Sequence, residues 1–237
     1  MNTVYIKTPP NTQFGNNLFQ IFAVYYFAKE NNYNIKMLPT SFLDKKAKHL
    51  FKFIEYGMPQ KQIPIFKSFY CNYNKPQFNG DFIWQSLSQN IKYLENIDKN
   101  EVINLLNITS KYHNKTVIYV RGKDYLNVQL YSKRTKNYYI NAIKQLGVSY
   151  DDVICCTDDI EYAKQLLGDL PITYSNGTWF DDFCLGIGAE NIILTNSTFC
   201  TWAAYLSNAK TIIRPRHYYN DGFECNTWDD NWIICDD

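Results

Sequence analysis

VICCTDDIEYAKQLL, Val153–Leu167, is the stretch whose reading decides the fold. Its first five residues, Val153–Thr157, are apolar or β-branched and read as a strand. Two aspartates follow, and Asp158 stands where a side chain caps a helix over Ile160–Leu167. The same strand–turn–helix unit recurs on both sides. Downstream, Ile172–Tyr174, Asn191–Thr195 and Thr211–Ile213 read as strands, and Trp179–Ile187 and Ser197–Leu206 as helices. Upstream, Thr116–Val120 is a strand, and Asn137–Leu146 is an amphipathic helix with Gly147 as its C-cap. This alternation predicts a parallel sheet covered on both faces.

The amino-terminal part repeats the theme less fully. Thr3–Lys7 is a strand, TPPNTQFGNN a loop, Leu18–Lys29 a helix and Asn34–Leu38 a second strand, which together make a βαβ unit. In the helix, Leu18, Ile21, Phe22, Tyr25 and Tyr26 share one face. Residues Pro39–Tyr112 hold short aromatic strands and turns, in QIPIFKSFYCN and QFNGDFIWQS, and a helix is expected over Asn90–Ile108. The expected class is α/β with two Rossmann-like halves. Residues 1–113 form one α/β half and 114–213 a second, and the aromatic, acidic stretch 214–237 packs back as a tail. Two such halves imply a cleft, with ligand at the carboxyl ends of strands.

Composition narrows the partners. A net charge of +1 over 237 residues leaves no basic stripe for nucleic acid and no polybasic membrane tail. No apolar run approaches the ~20 residues of a membrane-spanning helix. Met1 is followed by polar and strand-like residues rather than a secretory leader, so the protein is expected to be soluble and cytoplasmic. The seven cysteines include no C-x-x-C pair and read as reduced, mostly buried thiols. The four N-x-[ST] sequons are then chance. Tyrosine is abundant and suits stacking on sugars, but AT-rich coding sequence also inflates Tyr, Asn, Lys and Ile. Oligomeric state is left open.

Polar residues cluster at the predicted strand ends. Arg121, Lys123 and Asp124 follow Thr116–Val120, in YVRGKDY. Asp158 and Asp159 follow Val153–Thr157, and Asn196, Ser197 and Thr198 follow Asn191–Thr195 and open a helix. A helix amino terminus offers unpaired N–H groups and a positive dipole end, which favour phosphate. Arg121 adds a planar, permanently charged fork. Each residue also has an ordinary role to set beside this one: caps for Asp158, Ser197 and Thr198, and an ion pair for Arg121 with Asp124. The common sheet edge is what joins them.

Four stretches, taken jointly and in order, resemble the α-1,2-fucosyltransferase group, glycosyltransferase family 11. FGNNLFQ (Phe14–Gln20) is similar to its G-G-x-G-N-Q-[LM]-F-Q, and YVRGKDY (Tyr119–Tyr125) to its H-x-R-R-G-D-Y. CTDDIEYAK (Cys156–Lys164) is similar to its F-S-D-D-x-x-W-x-K. NIILTNSTFCTWAAYL (Asn191–Leu206) is similar to its N-I-I-x-x-N-S-T-F-S-W-W-x-A-x-L. The resemblance covers residues 3–35 and 115–213. It implies a GT-B-type fold with a reduced amino-terminal half, a GDP-fucose donor, a glycan acceptor, inversion at the anomeric carbon, no metal and no cofactor. The absence of any D-x-D sequence agrees, because metal-dependent nucleotide-sugar enzymes usually hold the ion on such a pair.

On this resemblance Arg121 and Asp124 are the catalytic candidates. Asn16, Lys123, Asp158, Asp159, Asn196, Ser197 and Thr198 join Arg121 as donor-binding candidates. The general base is not visible, and Asp81 or Asp124 are candidates. The departures are Tyr119 for the leading His, Gly122 for the second Arg, Lys123 for the Gly, Thr12–Gln13 for the Gly pair, Asn17 for the Gln and Thr201–Trp202 for the Trp pair. They leave two alternatives, a different nucleotide-sugar or a non-catalytic glycan-binding protein.

Overall fold

The structure is a computed structural model that describes residues 1–10, 12–43, 45–70, 75–220 and 227–237, without the side chains of 68–70 and 86–88. The chain divides into two compact units, one built on Met1–Ile108 and one on Thr109–Glu224 and Trp228–Asp237.

In the first unit, β1 (Thr3–Lys7), β2 (Asn34–Met37), β3 (Ile65–Tyr70) and β4 (Phe82–Ser88) pair in parallel in the order β2-β1-β4-β3. The aromatic segments of the middle region are thus full members of the sheet. Helix α1 runs over Phe14–Glu30, starting one turn earlier than expected, and its buried residues surround it rather than forming a stripe. A helix that is apolar all round is an enclosed one. Phe27 of α1 meets Trp84 edge-on at 5.3 Å and Phe82 at 5.9 Å, and Trp84 meets Phe66 at 5.1 Å. Each such burial stabilises the unit by roughly 1.5–3 kcal/mol.

The long helix expected over Asn90–Ile108 is broken. Asn90 accepts from Lys92 N and starts a single 3-10 turn, Ile91–Leu94. Asp98 then caps a new helix, α2 (Lys99–Leu105), by accepting from Asn100 N and Glu101 N. Short polar side chains that bond their own backbone favour helix starts over helix interiors.

Among the described residues the second unit has six strands: β5 (His113–Val120), β6 (Val153–Thr157), β7 (Thr173–Tyr174), β8 (Ala189–Ile193), β9 (Thr211–Pro215) and β10 (Ile233–Cys235). All pair in parallel, in the order β7-β6-β5-β8-β9-β10. Numbered by appearance this is 3-2-1-4-5-6, the doubly wound dinucleotide-fold order, and the winding reverses between β5 and β8. The sixth strand comes from the carboxyl-terminal stretch, whose Ile233 lies opposite Ile213.

Helix α3 (Lys136–Leu146) and helix α4 (Ile160–Leu167) share one core with the sheet, through Tyr138, Tyr139, Ile143, Ala163 and Leu167 against Ile118, Val120, Cys155 and Ile193. Helix α5 (Trp179–Gly188) packs on β5 and β8 and against α6 (Thr198–Leu206). Gly147 ends α3 at φ +67, as its sequence position predicts. Cys155, Cys156, Cys200 and Cys235 are buried free thiols, and Cys184 is partly buried. Cys71 and Cys225 lie outside the described residues. Among the described residues no helix is long and apolar enough to cross a membrane.

Candidate active site

A wholly parallel sheet delivers every carboxyl end to one edge. In the second unit the winding reverses between β5 and β8, and ligands of such sheets bind at that crevice. β5 hands over to Arg121–Asp124 there, and β8 to Leu194–Ser197 and helix α6.

Two buried tyrosines of α3 hold these strand ends. Tyr138 Oη donates to Leu194 O at 2.7 Å, and Tyr139 Oη to Tyr119 O at 3.0 Å. Burial pushes both phenols well above their ordinary pKa, so they remain neutral donors.

Arg121 is held from two sides. Its Nη2 donates to Asp124 Oδ1 at 2.8 Å, and its Nη1 pairs with Asp158 Oδ2. Asp124 is 66% exposed and Asp158 only 24%, so the outer pair is the weaker. An exposed pair contributes roughly 0–1 kcal/mol.

The two aspartates after β6 exchange roles relative to expectation. Asp159, not Asp158, caps α4: its backbone is extended and its Oδ1 accepts from Tyr162 N at 3.2 Å. A cap reaches the N–H two or three residues ahead, and Asp158 stands one residue too early. Asp158 Oδ1 instead accepts from Gly122 N at 2.8 Å, across from β6 to β5.

Gly122 and Lys123 explain two departures together. A Cβ on Gly122 would lie 2.5 Å from Asp159 Cβ, so Asp159 occupies the space a side chain would need. Lys123 has φ +47, in the left-handed region that costs a non-glycine residue roughly 1–2 kcal/mol. The family's glycine falls on Lys123, where the backbone calls for one. Lys123 N donates to Asp159 Oδ2 at 3.3 Å, and the residue is exposed. Arg121, Lys123, Asp124, Asp158 and Asp159 therefore form one cluster.

Tyr119, at the position of the family's His, is a core residue. Its Oη donates to Asp182 O at 3.0 Å, and its ring meets Phe199 edge-on. A Cβ on Gly186 of α5 would lie 1.9 Å from that oxygen, so Tyr119 and Gly186 are matched in size.

At the end of β8, Ser197 caps α6 by accepting from Phe199 N at 3.3 Å, and Thr198 opens the helix; both are partly buried. Asn196 is 2% exposed. Its Nδ2 donates to Ser132 O at 2.8 Å and to Tyr218 O at 2.6 Å. Those bonds tie two surface loops to the start of α6, which makes Asn196 a scaffold for this edge.

Asn16 belongs to the first unit, where its Oδ1 accepts from Gln89 Nε2 at 3.0 Å, beyond the carboxyl end of β4. Asp81 accepts from Thr3 N at 2.7 Å at the start of β1 and β4. That is the amino edge of the sheet, away from the strand ends where ligands bind. A polar pair that sequence reading missed lies beyond β7, where Ser175 Oγ donates to Asp182 Oδ1. Burial pushes the Asp182 carboxyl up, against hydrogen bonds from Ser175 and Cys156. The spacing of Ser175 and Asp182 signals no contact; it depends on how α5 is seated. Among the described residues no three His, Cys, Asp or Glu side chains gather as a metal-binding group.

Comparison with known proteins agrees with this architecture. The sequence matches glycosyl transferase family 11 over residues 49–236. No curated protein sequence matches it. Among solved structures, the fucosyltransferase NodZ from Bradyrhizobium is similar over 87% of this chain and 94% of its own, with a TM-score of 0.51 and 14% identity. POFUT1 in complex with GDP is similar over 88% of this chain and 95% of its own, with a TM-score of 0.45 and 12% identity. The likeness to NodZ is one of fold, and the two parallel-sheet units, with the smaller sheet first, are of the GT-B type.

Proposed function

The chain belongs to glycosyl transferase family 11, and on that premise we propose that it transfers L-fucose from GDP-fucose to a sugar hydroxyl, with inversion at the anomeric carbon. One observation carries this reading. At the switch point of a 3-2-1-4-5-6 sheet, a clamped arginine from one strand and a helix amino terminus from the neighbouring strand share an edge.

Breaking the bond from fucose C1 to the β-phosphate oxygen leaves the electron pair, and new negative charge, on GDP. Arg121, Lys123 and the first turn of α6, with the Ser197 and Thr198 hydroxyls, supply positive charge and donors for that diphosphate. The exposed Asp124 is the partner of Arg121 that a phosphate oxygen displaces. The acceptor oxygen attacks C1 from the opposite face and releases its proton to a base or to solvent. Asp159 is the nucleoside candidate of the pair after β6, because its bond to Lys123 N, at 3.3 Å, is a long one. Asn196 serves the site by placing the start of α6, and Asn16 offers a polar group at the carboxyl edge of the first sheet.

A second reading keeps the chemistry and changes the donor. It is favoured by Tyr119 and Gly122, which remove the His and second Arg of the family motif. A thermal-shift series with GDP, UDP and dTDP separates the two. Ligand at about 100 times its Kd stabilises by roughly 2.7 kcal/mol. Stabilisation by GDP alone supports the fucosyl reading, and stabilisation by a pyrimidine nucleotide alone replaces it. Glycan binding with no nucleotide response leaves only the non-catalytic alternative.

A further inference from the structure

Resting on the donor-site reading of Arg121, we infer that Asp158 is a positioning residue, which acts on the leaving diphosphate only through the Arg121 guanidinium and is not a nucleoside contact. Both of its oxygens are spent on the β5 loop. Oδ1 accepts from the Gly122 backbone N–H at 2.8 Å, and Oδ2 pairs with Arg121 Nη1. One carboxylate thus grips the backbone and the adjacent side chain together, which fixes where the arginine stem starts and where its head ends.

The grip is itself anchored. Val120 and Thr157 are register partners in β5 and β6, so Asp158 leaves its strand level with the start of the Arg121 loop. The next residue, Asp159, is pinned as the α4 cap and fills the space beside Gly122. Moving Asp158 toward a base would break both the Gly122 bond and the pair with Arg121 Nη1 and shift the arginine toward Asp124, the more exposed partner. The arrangement trades some of the arginine's positive field for a set direction, which is what stabilises charge that appears late in the reaction.

The test uses Asp158→Asn, which keeps an oxygen for Gly122 N but removes the charge. Guanosine and GDP affinities, kcat and KM with GDP-fucose, and the double variant with Arg121→Ala are measured on the full chain. A misaimed group costs on the order of 100-fold in rate. The expected result is a kcat loss of about that size, unchanged guanosine affinity, and a double variant no slower than Arg121→Ala alone. A loss of guanosine affinity in Asp158→Asn, or losses that multiply in the double variant, would overturn the inference. The Arg121 Nη1–H resonances of the nucleotide-free protein, from the nitrogen that faces Asp158, test the grip apart from the donor. Slowly exchanging signals that vanish in Asp158→Asn support it, and signals that persist overturn it. If the wild type binds neither guanosine nor GDP, the donor reading fails, and these resonances still decide whether Asp158 holds Arg121.

Discussion

The loops that follow β1 in the first unit and β5 in the second leave matching places in two parallel sheets, yet they are built for different work. After β1 the polar groups satisfy one another. Thr8 Oγ1 donates to Phe42 O, Thr12 Oγ1 to Pro9 O at 3.2 Å, and Asn17 Nδ2 to Thr12 Oγ1 at 2.8 Å. Thr12 and Asn17 are buried. After β5 the chain instead presents a clamped arginine, a lysine in a left-handed conformation and a half-exposed rim. Thr12 and Asn17 stand where the family motif has glycine and glutamine. Among the described residues these polar side chains are bonded to one another and to nearby carbonyls rather than presented at the strand end. The difference teaches that strand-end position is not enough for a site; charge must be held there without being used up.

The largest test of that contrast pairs the two loops. Arg121→Ala should lower the transfer rate by roughly 100- to 1,000-fold, the usual cost of losing a preorganised donor at developing charge. Asn17→Ala should leave the rate of the folded enzyme near wild type while costing about 1 kcal/mol of stability, because it removes the buried hydrogen bond from Asn17 Nδ2 to Thr12 Oγ1. Initial rates and urea midpoints read both. A rate loss in Asn17→Ala equal to that in Arg121→Ala would erase the distinction between the two loops.

Next in size is Gly186→Ala. The added methyl collides with Tyr119 Oη inside the second unit, and overpacking costs about 1–3 kcal/mol, more than the helix-propensity gain of alanine. Calorimetry should show a lower Tm, partly restored in the double variant with Tyr119→Phe. An unchanged Tm would mean that Tyr119 is not packed as a core residue.

The pH response also sets the units apart. Burial pushes the Cys200 thiol up to about 12, and the Tyr119, Tyr138 and Tyr139 phenols well above their usual value. Unfolded thiols and phenols lose their protons near ~8.5 and ~10, so the unfolded state gains above those values. The stability these groups contribute is complete below about pH 8.5 and declines as pH rises through about 12. In the first unit burial raises Glu101, but hydrogen bonds from Lys29, Tyr26 and Tyr25 outweigh it and hold the carboxyl low. That contribution is present above about pH 4.3 and is lost as pH falls. Burial also pushes up the Tyr25 and Tyr26 phenols of the first unit, Tyr25 to about 12, so hydrogen exchange followed by region should show alkaline loosening in both units but acid loosening at the α1–α2 contact and not in α3 and β8. Acid loosening of α3 and β8 as strong as that of the α1–α2 contact would remove the distinction.

The smallest effect is expected of Glu101→Gln. The Lys29–Glu101 pair, at 2.7 Å, has a lysine that is 58% exposed. Its loss should cost no more than about 1 kcal/mol, and less in high salt. A large, salt-independent loss would make the Glu101 cluster a core feature rather than a surface clasp.

Much of the second unit could be read from local pattern. The strand at Val153–Thr157, the helix at Ile160–Leu167 and the Gly147 cap rest on periodicity and on caps acting over three or four residues. The helix expected over Asn90–Ile108 failed for an equally local reason, a capping aspartate, Asp98, inside the span. Other misreadings were not local. Asp158 and Asp159 are chemically identical neighbours, and only the position of Gly122, 36 residues away in sequence, shows which one serves β5. The carbonyls of Ser132 and Tyr218 that hold Asn196 Nδ2 likewise come from distant segments.

The sequence by itself determined the α/β class, the placing of Arg121 and Ser197 at strand ends, and the resemblance to a glycosyltransferase family, because each depends on short-range spacing. Tertiary structure alone decided the strand order, the recruitment of Ile233–Cys235 as the sixth strand and the pairing of Asp158 with Arg121. Strand order is set by which apolar faces are buried together, and the pairing of a half-buried carboxylate by which donor comes within reach. Both are contacts between residues far apart in the chain, and no window along the sequence contains them.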